Sequence, residues 1–118
     1  MTIRPLFAAL AVLALAGCAA DPAPNEQMRL TGQALEQATA VGATVEDVPE
    51  LKLAEGKYSQ AKADMADQSF KDARVQAEQA ELDARLAEAR VLTLKSEEQL
   101  TLLQSRVNRL RKQLGEQQ

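Results

Sequence analysis

Very few groups in this chain could do covalent chemistry. There is one cysteine, Cys18, and no histidine. A thiol is the best side-chain nucleophile near neutral pH once it is activated. Without histidine, however, neither a Cys/His nucleophilic pair nor a His/Cys metal site can be assembled. With no second cysteine, no internal disulfide can form. Ser-Lys catalysis would need a strained nucleophile turn and oxyanion donors, which a solvated helical hairpin does not offer. Asp64, Asp67 and Asp72 stand close together in sequence. They lack the alternating carboxylates, central glycine and closing glutamate of a calcium loop, so capping and solvation account for them. The remaining candidate is a basic group, Arg106, Arg109, Arg111 and Lys112. It is open to two readings: a contact surface for carboxylates, or cations that complement a helix C-terminus. The expectation is a non-enzyme with no metal and no dissociable cofactor.

The position of Cys18 says more than its type. Arg4 supplies a positive start, Leu6 to Ala16 runs apolar, and Gly17 precedes the cysteine. That run has the length of a signal-peptide core and falls short of the roughly 20 apolar residues of a spanning helix. Leu15, Ala16, Gly17 and Cys18 resemble the bacterial lipoprotein signal, in which a leucine, a small residue and glycine or alanine precede the cysteine. The resemblance implies cleavage before Cys18, a diacylglycerol thioether on its sulfur and a further acyl chain on its freed amine. Each buried methylene contributes about 0.8 kcal/mol, and stable anchoring takes two chains, so such a cysteine would hold the protein on a membrane. In the enterobacterial sorting pattern an aspartate directly after the cysteine retains the protein in the inner membrane. Ala19 stands there instead, which favours the outer membrane facing the periplasm, although Asp21 lies two residues further on.

Composition limits the chain beyond the anchor. There are 118 residues, 26% of them charged, and three aromatics, Phe7, Tyr58 and Phe70. The bias toward Ala, Leu, Glu, Gln, Lys and Arg is that of long helices and coiled coils. Between Cys18 and Glu98 there are 9 Lys plus Arg against 16 Asp plus Glu, whereas after Gln99 four cations face only Glu116. A mostly acidic body with a basic tip lacks the sustained basic face that nucleic-acid phosphates require.

Residues 19–25, with Pro22 and Pro24, read as a semi-extended tether of about 3 Å per residue. A first helix is expected at about 26–41, where Leu30, Ala34, Ala38, Val41 and Val45 share a stripe and Gly42 offers a stop. A second helix should begin at Pro49, with Asp47 as its cap and Glu50 at capping-box spacing. Its inward face is Leu51, Ala54, Tyr58, Ala61 and Met65, and it should end near Ala66. Ser69 and Asp72 repeat the capping-box spacing and start a third helix after a turn at Asp67 and Gln68. So short a connection makes antiparallel neighbours. The third helix meets the second through Phe70, Ala73, Ala77, Ala80, Ala84 and Ala87, then runs without Gly or Pro to Gly115.

The far half of that helix outruns its partner and carries Leu100, Leu103, Val107, Leu110 and Leu114 at alternating steps of three and four, an a/d heptad seam. An exposed leucine seam needs a cover. Self-association and a helical partner protein both satisfy it, as would the first helix folded up over the leucines. Extended backwards, the register meets Ala89, Thr93 and Ser96, which weaken it. The expected fold is thus all-α: an antiparallel hairpin, with the thin first helix as a third member, and a long C-terminal coiled-coil helix. The divisions are a signal peptide at 1–17, the anchor and tether at 18–25, the hairpin at 26–90 and the coiled-coil extension at 91–118.

Residues 40–90, above all Pro49-Glu-Leu-Lys-Leu-Ala-Glu-Gly-Lys57 and Ala84-Arg-Leu-Ala-Glu-Ala-Arg90, resemble the domain-of-unknown-function family 4398 of Gram-negative envelope lipoproteins. Gln76 to Ala80, Leu86 to Ala89 and the aromatic Phe70 near the turn belong to that pattern, while Val48 replaces the tyrosine common before the second helix. The resemblance implies a helical hairpin and an envelope location, with no assigned activity. A lipidated coiled coil also invites comparison with the Braun-type murein lipoprotein, whose terminal lysine joins peptidoglycan. This sequence ends Gly-Glu-Gln-Gln, so any wall contact would be non-covalent. Two functions are expected on these grounds: a structural spacer or adaptor of the envelope, and a binding module that activates an envelope enzyme or assembly machine through its hairpin.

Overall fold

A computed structural model describes residues 21–116. The described residues form three helices, α1 (Asn25–Ala40), α2 (Pro49–Ala66) and α3 (Phe70–Gly115), and no strand. None of them is long and apolar enough to cross a membrane. At 1.5 Å per residue the 18 residues of α2 span about 27 Å and the 46 of α3 about 69 Å.

The helix ends show how local chemistry sets the boundaries. Gly42, at φ +100°, closes α1 in a Schellman motif: Ala43 N–H donates to Ala38 O at 3.0 Å and Gly42 N–H to Thr39 O at 2.9 Å. The α2–α3 turn uses the same motif without glycine. Gln68 sits at φ +60°, Ser69 N–H donates to Asp64 O at 2.8 Å and Gln68 N–H to Met65 O at 3.2 Å.

The two expected side-chain caps do not form. The residue before α2 is Val48, with no side-chain cap bond. Asp47 instead accepts a 2.9 Å hydrogen bond from the Thr44 hydroxyl, because the turn preceding Pro49 points its carboxylate back along the chain. Ser69 precedes α3 and likewise makes no side-chain cap bond. Glu50 and Asp72 still lie in first turns, where their charges suit the positive helix end.

Packing makes an up-down-up bundle around the alanine stripe. Ala73, Ala77, Ala80, Ala84 and Ala87 are all fully buried. Both shorter helices share this stripe, which the sequence had assigned to α2 alone. Ala34 of α1 and Ala54 of α2 meet Ala84, while Ala38, Ala43, Val48 and Leu51 meet Ala87 and Val91. Small side chains let three backbones approach closely, so a core with little bulk still excludes water. On the α2 side Lys57 pairs with Asp83 at 2.6 Å and Arg90 with Glu50. On the α1 side Lys95 Nζ donates to Val41 O at 2.6 Å, and so serves the carbonyl end of α1 from across the interface. Gln27, near the start of α1, meets Glu81, and Val41, just past its end, meets Lys95, so α1 runs parallel to α3. The first helix therefore packs low on α3, and the reading in which it covers the leucines is excluded. The last residues of the expected tether also pack against α3: Pro24 is buried and Arg74 donates to Pro22 O at 3.3 Å.

Candidate functional site

Beyond Val91 every described residue of α3 is exposed. The last contact with the bundle is Lys95 on Val41, so about 30 Å of helix stands free. On it Leu100, Leu103, Val107, Leu110 and Leu114 are between 44% and 66% exposed. Leu100, Leu103, Gln104, Val107, Asn108 and Arg111 line a shallow groove along this stretch. Nothing in the chain's own described fold covers these side chains.

The uncovered face continues well before Leu100. Val75, Leu82 and Leu86 are 43%, 67% and 54% exposed, although they lie beside the bundle. They occupy the same heptad register as the seam, two to four heptads earlier. At about 100° per residue they point away from the buried alanines. Helix α3 thus has two apolar faces: alanine, covered by α1 and α2, and leucine, bare along its length. Sequence reasoning missed these three residues, although the register reaches them once it is carried back through Ala89, Thr93 and Ser96.

The polar groups fall into two sets. Arg106, Arg109, Arg111 and Lys112 are exposed and take part in no ion pair among the described residues. Their steps spread them around the helix, so they form a basic tip and no single basic face. At the other end Gln27 Nε2 donates to Glu81 Oε2 at 2.7 Å, and Arg85 donates to Glu81 Oε1 at 2.6 Å. The Gln27 amide first, and then the Arg85 guanidinium, hold the Glu81 carboxyl below its ordinary range against the opposing effect of desolvation. Of the three aspartates near the turn, Asp64 accepts a 2.8 Å bond from Gln60. Among the described residues no group of three or more His, Cys, Asp or Glu is placed to hold a metal ion. Leu15, Ala16, Gly17 and Cys18 lie outside the described residues.

These features define an elongated helical protein with an uncovered apolar face along its longest helix. The chain belongs to the DUF4398 family, described as a domain of unknown function, whose pattern matches residues 26–103. A crystal structure of a DUF4398 family protein from Pseudomonas aeruginosa PAO1 is similar at 65% sequence identity and a TM-score of 0.79. The match covers 82% of this chain and all of that one. No curated protein matches the sequence.

Proposed function

We propose that this chain is a lipid-anchored, non-enzymatic spacer or adaptor of the bacterial envelope, held at the outer membrane and facing the periplasm. The observation that carries the reading is the Leu15-Ala16-Gly17-Cys18 sequence placed directly ahead of a helical rod. The helix directions support it. Because α1 runs parallel to α3, the chain enters the bundle at one end and its free helix leaves at the other. An anchor at Cys18 and the free tip of α3 would then be separated by tens of ångströms. Membership in DUF4398 brings no activity with it and conflicts with none of this.

Metabolic labelling with a palmitate analogue in cells expressing the full chain tests the anchor. Label and membrane fractionation should both be lost in Cys18→Ser while the helical content of the protein is retained. Retention of label in Cys18→Ser would remove the reading. Density-gradient separation of the two membranes then tests the location, with an inner-membrane position counting against it.

A further inference from the structure

We propose that the leucine face of α3 is covered by a second copy of this chain, running antiparallel along the whole length of the helix. The inference stands on α3 alone and holds whether or not Cys18 is acylated.

The stripe sets the size of the interface. Val75, Leu82, Leu86, Leu100, Leu103, Val107, Leu110 and Leu114 are all 43% or more exposed. They follow one a/d register over about 60 Å. With its flanking residues, a face of that length is on the order of the 800 Å² per partner that a stable specific interface buries. The alanine face is already filled, and α1 and α2 lie on that side, so a helix can approach the leucines without meeting either.

Charge decides the direction. In a parallel, in-register pair each g position faces the partner's following e position. Glu78 would face the partner's Asp83, Arg85 the partner's Arg90, and Arg106 the partner's Arg111. Every charged pair would be a like pair, and all four cations of each tip would gather at one end. Reversing one helix lays the basic tip beside the acidic start of the other, where Glu78, Glu81 and Asp83 stand. Arg106 then reaches toward the partner's Glu78, and neither is in an ion pair among the described residues of its own chain. Arg111 and Glu97 come near the partner's Asp83 and the partner's Arg90, which already pair with Lys57 and Glu50 of their own chain. Arg85 comes near the partner's Arg106, but Arg85 is already paired with Glu81 at 2.6 Å.

Apolar matching selects the register. One antiparallel alignment places Val75 on the partner's Leu114, Leu82 on the partner's Val107, Leu86 on the partner's Leu103 and Ala89 on the partner's Leu100. Thr93 meets the partner's Ser96 at the centre, so the polar residues that interrupt the stripe face each other. Only Leu110 meets a polar residue, the partner's Gln79. If Cys18 is also acylated, which rests on the proposed function, the paired rod carries one anchor at each end.

Disulfide trapping in the full chain tests this, with Cys18→Ser as background so that the introduced thiol stands alone. Leu86→Cys and Leu103→Cys should each stay monomeric on denaturing gels after mild oxidation, and their mixture should give a covalent dimer. Leu82→Cys with Val107→Cys repeats the test if one of the first variants loses helical content. A covalent dimer from either variant alone would mean parallel pairing and would overturn the proposal. No dimer from either mixture would overturn it too, leaving the leucines to a different protein. Because the background lacks the lipidation site, a failure here is separable from a failure of the anchor.

Discussion

Thr31 is fully buried between α1 and α3, and its hydroxyl oxygen lies 2.8 Å from the main-chain oxygen of Ala77 and 2.9 Å from that of Gln27. The hydroxyl has one hydrogen to donate, and the shorter contact crosses the interface. A polar group this deep costs stability unless it is bonded. The bond to Ala77 favours this register, since sliding α1 by one turn would lose it and leave the hydroxyl only its own-helix acceptor, Gln27 O. Thr31→Val keeps the shape and removes the bond. It should destabilise the fold by about 1 kcal/mol, read as a lower urea midpoint with an unchanged slope.

Two helical glycines should respond differently to alanine. Gly56 lies in the exposed middle of α2 with open space where a Cβ would stand. Gly56→Ala should stabilise by about 1 kcal/mol through helix propensity alone. At Gly32 a Cβ would come within 3.1 Å of Tyr58 Oη, which donates to Met28 O at 3.2 Å. Gly32→Ala should therefore gain less than half as much, and adding Tyr58→Phe to it should restore part of the difference. Thermal melts of these variants beside the parent decide this.

The turn between α2 and α3 holds Gln68 at φ +60°, a conformation that side chains other than glycine and asparagine adopt at a cost. Gln68→Gly should stabilise by about 0.5 kcal/mol, after allowing for the freer unfolded chain. Gln68→Val should destabilise by more than about 1 kcal/mol, since a β-branched side chain fits there worst. Urea titrations of the two variants give both numbers.

Acid should loosen the α1–α3 contact. The carboxyl of Glu81 is lowered in the folded state from its ordinary 4.5. The stabilisation from its bonds to Gln27 and Arg85 is therefore fully present above the unfolded value and lost as pH falls through the folded one. Stability should decline below about pH 4.5, and Glu81→Gln should flatten that part of the profile. Equal slopes for the two proteins between about pH 5 and 3 would contradict the assignment.

Self-association through the leucines is checked by mass in solution. Leu103→Lys with Leu110→Lys should reduce the oligomer to a monomer in light scattering across a concentration series, with helical content unchanged. Both side chains are exposed in the single chain, so the fold of the monomer has nothing to lose.

The helices, the alanine face of α3 and the last stretch of its leucine face, from Leu100 to Leu114, are legible in the sequence because their signals are local. Alanine and leucine recur at the helical period, and Pro49, Gly42 and Gly115 punctuate the runs. The cap expected at α2 is absent because Asp47 has a nearer partner in Thr44, a choice made by the path of the turn. The tertiary structure decided where α1 goes. A thin stripe such as Leu30, Ala34 and Ala38 fits several surfaces, and only its docking beside Ala77 and Ala84 left the leucines bare. Thr31 was unreadable for the same reason, since a buried hydroxyl and an exposed one look alike until its acceptor, 46 residues away in α3, is in place. Sequence by itself determined which surfaces this protein has; packing determined which one is left to cover, because the energy of an apolar face depends on what stands opposite it.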